Sequence, residues 1–246
     1  MATHIKTGPA PVRTARRRPV IVTFSGLDGA GKSTQTRLLR ERLERHGIRA
    51  EIEWVPVAIN PSIGHIKTVG KRILASLSRG GPPQADAVGD PAEADPGKRL
   101  VRRSPVARHV WSTFVTLANV FSHWRSYLRH RGAQVVIFDR YSLDTAVKLH
   151  TWYGELGNVA FQSWLIRRLS PPSVSGYLLD VPAERALARK IDKWELPTLT
   201  AQAEVYRLEC ERFGVRRLDG ERPVADLAEE IGEDVLRRLS SGGSAA

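Results

Sequence analysis

Eight consecutive residues near the start of the chain have the types and spacing needed to hold a polyphosphate. Residues 26–33 read GLDGAGKS and satisfy the pattern G-x-x-x-x-G-K-[ST]. Glycines let the backbone curl so that successive amide groups face phosphate oxygens, and a following helix presents its positive N-terminal end. Lys32 would reach the β- and γ-phosphates, and the hydroxyl of Ser33 would bind magnesium.

This loop predicts ATP and Mg²⁺ as the cofactors of the chain. An apolar run at 20–24 precedes the loop and a helical stretch from 32 to about 46 follows it, which is the context that the motif requires. Because ATPases, GTPases and kinases share the loop, it predicts nucleotide binding without specifying the reaction. The residues predicted to hold ATP are Gly26, Gly29, Ala30, Gly31, Lys32, Ser33 and Thr34.

Acidic side chains follow two further buried strands, at the point where each strand ends. The run 134–138 ends in Asp139, followed by Arg140 and Tyr141, and the run 174–179 ends in Asp180. In open α/β sheets, ligands bind outside the carboxyl ends of the strands. We therefore expect these polar residues to lie near the phosphate loop.

The elements that position these residues alternate between strand and helix from residue 19 onward. Strands near 51–55 and 215–218 and helices near 62–77 and 224–239 complete the pattern, which predicts a parallel sheet. The proline-rich stretch 79–105 reads as a disordered insertion. A longer helix carries an apolar stripe, predicted to be core, at Val110, Phe114, Leu117, Phe121, Trp124 and Leu128. The alternative is that the aromatic face of this helix lines a pocket for a nucleotide base. The polar residues Asn119 and His123, on the adjoining face, are better candidates for the acceptor site than the aromatic residues.

Composition bounds the remaining alternatives. A chain of 246 residues with 41% apolar residues can form one domain, here 19–240 between flexible tails at 1–18 and 241–246. The single cysteine excludes an internal disulfide, and no run is long enough to span a membrane, which predicts a cytoplasmic protein. The net charge of +12 indicates polyanionic partners, but without a basic stripe containing aromatic residues we do not expect nucleic acid.

Three segments resemble one family. Residues 23–35 are similar to the N-terminal signature of bacterial thymidylate kinases, 138–141 to that family's D-R-[YH] motif, and 177–182 to the L-D-V-P segment before its lid. The resemblance covers roughly 19–240. It implies a P-loop NTPase α/β fold whose five-stranded parallel sheet has the order 2-3-1-4-5. It also implies transfer of phosphate from ATP to a nucleoside monophosphate, with dTMP as the leading acceptor.

The resemblance also implies roles for individual residues. Arg140 would bind the acceptor phosphate, Asp139 would bind magnesium and Asp28 would contact the acceptor sugar, with Tyr141 and Asn119 completing the substrate site. A lid at 183–198 would supply the cation on the migrating phosphoryl group, from Arg189 or Arg185. The structural alternatives are an ion pair at the sheet end for Asp139, a turn role for Asp28 and solvated helix-surface charges for the lid.

The acceptor side departs from the family pattern. Residues 54–61 replace the R-E-P-G-G stretch, and Lys148 and Leu149 stand near the position of the base-reading glutamine. Two other functions therefore stay open: a kinase acting on a non-nucleotide phosphorylated metabolite, and an ATP-dependent binding module without kinase activity. The apolar helical faces would also allow a homodimer.

Overall fold

The computed structural model describes residues 18–57, 104–154, 158–189 and 195–241. Five strands form one sheet in the order β2-β3-β1-β4-β5, with every neighbouring pair parallel, so the predicted topology is confirmed. The strands are β1 (Val20–Ser25), β2 (Ala50–Trp54), β3 (Val135–Asp139), β4 (Ser175–Asp180) and β5 (Arg216–Asp219). The register pairs Phe24 with Asp139, so β1 and β3 end at the same edge of the sheet.

Seven helices lie within the described residues. They are α1 (Lys32–Arg45), α2 (Pro105–Arg129), α3 (Ser142–Tyr153), α4 (Ala160–Leu169), α5 (Ala183–Arg189), α6 (Leu196–Cys210) and α7 (Val224–Ser241). The predicted helix at 62–77, the predicted insertion up to residue 103 and most of both tails fall outside the described residues. The helix α2 begins at Pro105 because the Ser104 hydroxyl accepts a hydrogen bond from the Ala107 amide and proline suits the first helical turn.

Helices cover both faces of the sheet. The β-branched and aromatic residues of the central strands are buried on both sides, as expected for a parallel sheet. Alternate residues of β4 therefore join different clusters. Leu179 belongs to the cluster that includes Leu39 of α1 and Ile231 of α7. Leu178 belongs to the cluster that α3, α5 and α6 complete, which includes Tyr206.

The prediction that the apolar stripe of α2 is core was wrong. Phe121 is 61% exposed, and Leu117, Trp124 and Leu128 are exposed as well. The buried face of α2 consists instead of small and polar side chains: Ala107, Ser112, Val115, Thr116, Asn119, Val120, His123 and Ser126. Hydrogen bonds satisfy these polar groups, for example from the Thr116 hydroxyl to the Ser112 carbonyl (2.7 Å), so they can be buried at little cost. The apolar side is left at the surface.

None of the described helices is both long enough and apolar enough to cross a membrane. Cys210 is a free, buried thiol.

Candidate active site

The loop between β1 and α1 has a backbone that glycine makes accessible. Gly31, the residue before α1, has φ 91°, and Gly29 has φ 88°, both in the left-handed region. A Cβ added to Gly29 would lie 2.4 Å from the Ala186 carbonyl oxygen, so this loop packs directly against the backbone of α5. The first turn of α1 contains no acidic residue and has no side-chain cap, so no side chain in that turn competes with an anion for the amide groups at the start of the helix.

Lys32 folds back onto its own loop. Its Nζ donates hydrogen bonds to the carbonyl oxygens of Gly26 (2.8 Å) and Leu27 (2.7 Å), and the residue is only 5% exposed. A lysine in a glycine-rich surface loop is expected to be exposed, whereas packing of this loop against β4 and α5 buries Lys32. Burial first, and then the nearby Arg140 cation, lower the pKa of Lys32 to about 8, against the opposing effect of the carboxylates of Asp144, Asp139 and Asp28.

Ser33 and Asp139 meet at the end of the sheet. The Ser33 hydroxyl donates to Oδ2 of Asp139 (2.7 Å), although 106 positions separate the two residues in sequence. The other carboxylate oxygen, Oδ1 of Asp139, is buried and has no hydrogen-bond partner among the described residues. A hydroxyl beside a carboxylate with an unused oxygen is a donor set that suits Mg²⁺, which commonly takes few protein ligands and keeps several waters. The described residues contain no cluster of three or more His, Cys, Asp or Glu side chains that could hold a metal by itself.

Arg140 stands between two carboxylates, immediately after β3. Its backbone has φ 76°, and its Nη2 donates to Oδ1 of Asp28 in the phosphate loop. Its Nη1 lies 3.9 Å from Oδ1 of Asp144. Burial alone would lower the pKa of Arg140, but Asp144 first and then the other acidic groups raise it overall, so the guanidinium stays charged. The predicted residues Asp28 and Arg140 are thus brought together with Lys32 at one end of the sheet.

Two residues of this region, Asp144 and Tyr206, lie outside the sequence motifs. Asp144 accepts hydrogen bonds from the Ser25 hydroxyl (2.7 Å) and the Tyr206 hydroxyl (2.7 Å), and it is fully buried. Its partners lie 119 and 62 positions away in sequence. The local signal is its place in the first turn of α3, where its carboxylate accepts a hydrogen bond from the Tyr141 amide at the start of the helix.

In the part of the chain that the structure describes, the other two predicted substrate residues, Tyr141 and Asn119, lie in the interior rather than at a cleft. Tyr141 is buried, stacks on His123 with 4.3 Å between ring centroids, and donates its hydroxyl to the Pro171 carbonyl oxygen (2.8 Å). Asn119 is buried on α2, and its Nδ2 donates to the Val115 carbonyl oxygen (2.8 Å). Both side chains are committed to internal packing in this conformation. The pKa of His123 is lowered to about 3 by burial, so the ring is neutral.

The predicted lid is partly described. Its first part is the helix α5, which touches the phosphate loop through Ala186. Arg185 on this helix is exposed and pairs with Glu221 at 3.3 Å, and Arg189 is its last, exposed residue. Residues 190–194 of the predicted lid lie outside the described residues.

Asp180, at the end of β4, is engaged in ion pairs. Arg207 Nε lies 3.1 Å and Arg217 Nη2 lies 2.5 Å from its Oδ2. These residues line a cleft of about 430 Å³ at the carboxyl ends of β4 and β5, together with Pro182, Asp219 and Glu221. The strand-end position of Asp180 was correctly read from sequence, but its charge is balanced by arginines from α6 and β5.

Comparison with known proteins identifies two relatives. The chain is 29% identical over 238 residues to the thymidylate kinase of Alkalilimnicola ehrlichii, an alignment that covers 89% of this chain and 95% of that protein. It is 24% identical over 229 residues to the thymidylate kinase of Dinoroseobacter shibae, covering 86% and 93% of the two chains. No protein-family model matches the chain. The chain, which has a phosphate loop and a sheet in the order β2-β3-β1-β4-β5, is thus similar to thymidylate kinases over most of its length.

Proposed function

We propose that the chain is an ATP-dependent nucleoside monophosphate kinase that converts dTMP and ATP into dTDP and ADP. A phosphate oxygen of dTMP attacks the γ-phosphorus of ATP, and the bond from that phosphorus to the β–γ bridging oxygen breaks. The observation that carries the proposal is the pairing of Arg140 with Asp28, which sets a phosphate-binding cation against the loop that would hold ATP. The names of the two relatives support dTMP as the acceptor.

The donor half of the reaction would use the loop and its lysine. The backbone amides of residues 29–33 would face the triphosphate, and the Lys32 ammonium would leave the Gly26 and Leu27 carbonyls for the β- and γ-phosphates. Ser33 and Asp139 would hold Mg²⁺, which neutralises developing charge on the phosphate oxygens. Arg189 or Arg185 of α5 would add a cation to the migrating phosphoryl group, since that helix packs against the loop.

The acceptor half would depend on Arg140 and Asp28. A guanidinium presents paired N–H donors that match a phosphate, so Arg140 would exchange its bond with Asp28 for one with the acceptor phosphate. Asp28, once released, would accept a hydrogen bond from the acceptor sugar. Lys148 lies one turn after Asp144 on α3; burial and then the Arg140 cation lower its pKa. It would supply a further donor on the acceptor side.

A panel of acceptors tests this function. ADP release is measured with Mg·ATP and, in turn, dTMP, dUMP, dCMP, dAMP, dGMP and a sugar phosphate. We expect dTMP to stimulate ADP release most, with kcat on the order of 1–10³ s⁻¹. Equal ADP release with and without every nucleotide, from protein that still binds ATP, would contradict the assignment.

We further propose that the chain forms a homodimer through the exposed apolar side chains of α2 and α4. This α2–α4 face comprises Leu117, Phe121, Trp124, Leu128, Phe161, Trp164 and Leu169. The Trp124 indole N–H donates to the Leu169 carbonyl oxygen (2.8 Å), so the two helices present one continuous surface. Large exposed apolar patches mark interaction sites, and a stable interface buries about 800 Å² on each partner.

The free thiol of Cys210 suits a reducing compartment, and we place the site of action in the cytoplasm.

Light scattering after size-exclusion chromatography tests the dimer. We expect a dimer for the wild type and a folded monomer for Phe121→Asp. Leu208→Asp is the control, because Leu208 is 72% exposed but lies on α6, outside the α2–α4 face. A monomeric wild type would contradict the dimer and leave the face to be covered by another segment of the chain or another partner.

A further inference from the structure

A buried carboxylate lies behind the acceptor arginine and takes no direct part in the proposed reaction. Asp144 is fully buried in the first turn of α3. Its Oδ2 accepts hydrogen bonds from the Ser25 hydroxyl (2.7 Å) and the Tyr141 amide (2.9 Å). Its Oδ1 accepts from the Tyr206 hydroxyl (2.7 Å) and faces Arg140 Nη1 at 3.9 Å. One side chain thus joins the end of β1, the start of α3, α6 and the acceptor arginine.

The charge of Asp144 matters for Arg140 in a way that Asp28 cannot replace. Asp28 is partly exposed and lies in the phosphate loop, where an acceptor phosphate would compete with it for the guanidinium. Asp144 is sealed from solvent, so no ligand can displace it. At 3.9 Å it attracts the guanidinium without occupying the N–H donors at hydrogen-bond distance, which leaves them available for a phosphate.

The three hydrogen bonds fix the carboxylate itself. A buried charge needs a cation and enough donors to compensate for the loss of water, and Asp144 has Arg140 together with two hydroxyls and one amide. Since Tyr206 belongs to α6, the arginine is also connected to the helix that follows the predicted lid. A displacement of α6 would therefore also move the carboxylate that faces Arg140.

We propose that Asp144 is a positioning residue, which holds the Arg140 guanidinium in the orientation that receives the acceptor phosphate and links it to α6 through Tyr206. The inference deepens the proposed function and rests on it for its kinetic consequences. Asp144 touches neither substrate. Its effect on turnover passes through Arg140.

The test is Asp144→Asn, which keeps the shape and most of the hydrogen-bonding capacity but removes the charge. The control is Asp234→Asn. Asp234 is another buried aspartate that accepts from a tyrosine, Tyr177, at 2.6 Å, but it lies on α7 against the opposite face of the sheet. Misplacing a substrate-positioning group by about 1 Å can cost on the order of 100-fold in rate. We expect a fall of that size in kcat/KM for dTMP in Asp144→Asn, with affinity for Mg·ATP within twofold of wild type, and wild-type kinetics in Asp234→Asn.

A double-mutant cycle separates positioning from general support of the fold. If Asp144 acts through Arg140, then Asp144→Asn in an Arg140→Lys background should lower kcat/KM for dTMP little further. The inference would be overturned if the losses of the two single variants multiplied in the double variant, or if folded Asp144→Asn had wild-type kinetics. Should Asp144→Asn fail to fold, Tyr206→Phe removes one hydrogen bond and keeps the charge, with an expected loss of about fivefold. No loss in that variant would count equally against the link to α6.

A measurement without substrate distinguishes this inference from the proposed function. In ¹⁵N spectra of the ligand-free protein, a held guanidinium gives a protected Arg140 Nε–H signal. We expect that signal in the wild type and in Asp234→Asn and its loss in Asp144→Asn. An unchanged signal in Asp144→Asn overturns the positioning role, whereas a wild type that makes no dTDP overturns only the proposed function.

Discussion

The donor and acceptor sides of the candidate site are built in different ways. The donor side is mostly one continuous stretch, 26–34, whose shape depends on glycines and on the helix that follows. The acceptor side is assembled from distant segments, since Arg140 meets Asp28 across 112 positions and Asp144 meets Ser25 across 119. A local motif can be preserved while an assembled surface changes. This difference accounts for a chain whose phosphate loop resembles that of thymidylate kinases but whose acceptor positions depart from their pattern.

The largest effect should come from Lys32→Ala on the donor side. Its ammonium is the cation that the loop brings to the β- and γ-phosphates, and loss of one such group costs at least about 10²–10³-fold in kcat. Among the described residues, the variant loses only the hydrogen bonds to two loop carbonyls, so the fold should survive. Steady-state rates with dTMP measure the loss of kcat, and circular dichroism checks that the fold is retained. Turnover near the wild-type rate would show that the loop does not serve phosphoryl transfer.

Arg140→Ala should damage the acceptor side selectively. We expect kcat/KM for dTMP to fall by about 10²-fold, in line with loss of a charge-assisted contact to phosphate. The dissociation constant for Mg·ATP should change less than threefold, because the loop amides and Lys32 are intact. Calorimetric titrations with each nucleotide separately provide the check. Equal losses for both nucleotides would mean that the two sides are not independent.

A smaller, pH-dependent effect should be found on the donor side. Because the pKa of Lys32 is lowered to about 8, its ammonium loses a proton above that pH in the free protein. Bound phosphates favour the charged form and raise the pKa, so binding above pH 8 takes up a proton. ATP affinity should therefore be constant below pH 8 and fall by up to about tenfold per pH unit above it.

Calorimetry in two buffers of different ionisation enthalpy measures that proton uptake, with dTMP titrations over the same range as the control. Proton uptake on dTMP binding equal to that on ATP binding would contradict the assignment to Lys32. The absence of proton uptake on ATP binding would contradict it as well.

Much of the fold and the donor side could be predicted because their signals are local. The runs at 20–24 and 134–138 are rich in β-branched residues, and each is one buried strand. The pairing of Ser33 with Asp139 also follows from two motifs that end neighbouring strands. These features depend on the residue types within a few positions and on the rule that ligands gather at one edge of a parallel sheet.

The features that could not be predicted depend on which surfaces meet. The spacing of Phe121 and Trp124 correctly indicates one face of a helix, yet periodicity does not say whether that face packs inward. Asp144 carries no motif, because its partners come from β1 and α6. Tyr141 follows the D-R pair in sequence but turns into the core, where Pro171 accepts its hydroxyl.

The most direct test of the account is a ligand that occupies both sides at once, in which adenosine and thymidine are joined through a chain of phosphates. Its dissociation constant is measured by calorimetry with the wild type, Lys32→Ala and Arg140→Ala. If the two sides meet at one transfer point, the joined ligand should bind at least about 100-fold more tightly than either ATP or dTMP, and each variant should lose most of that gain. A joined ligand that binds no more tightly than ATP, with the same affinity in Arg140→Ala, would contradict the account.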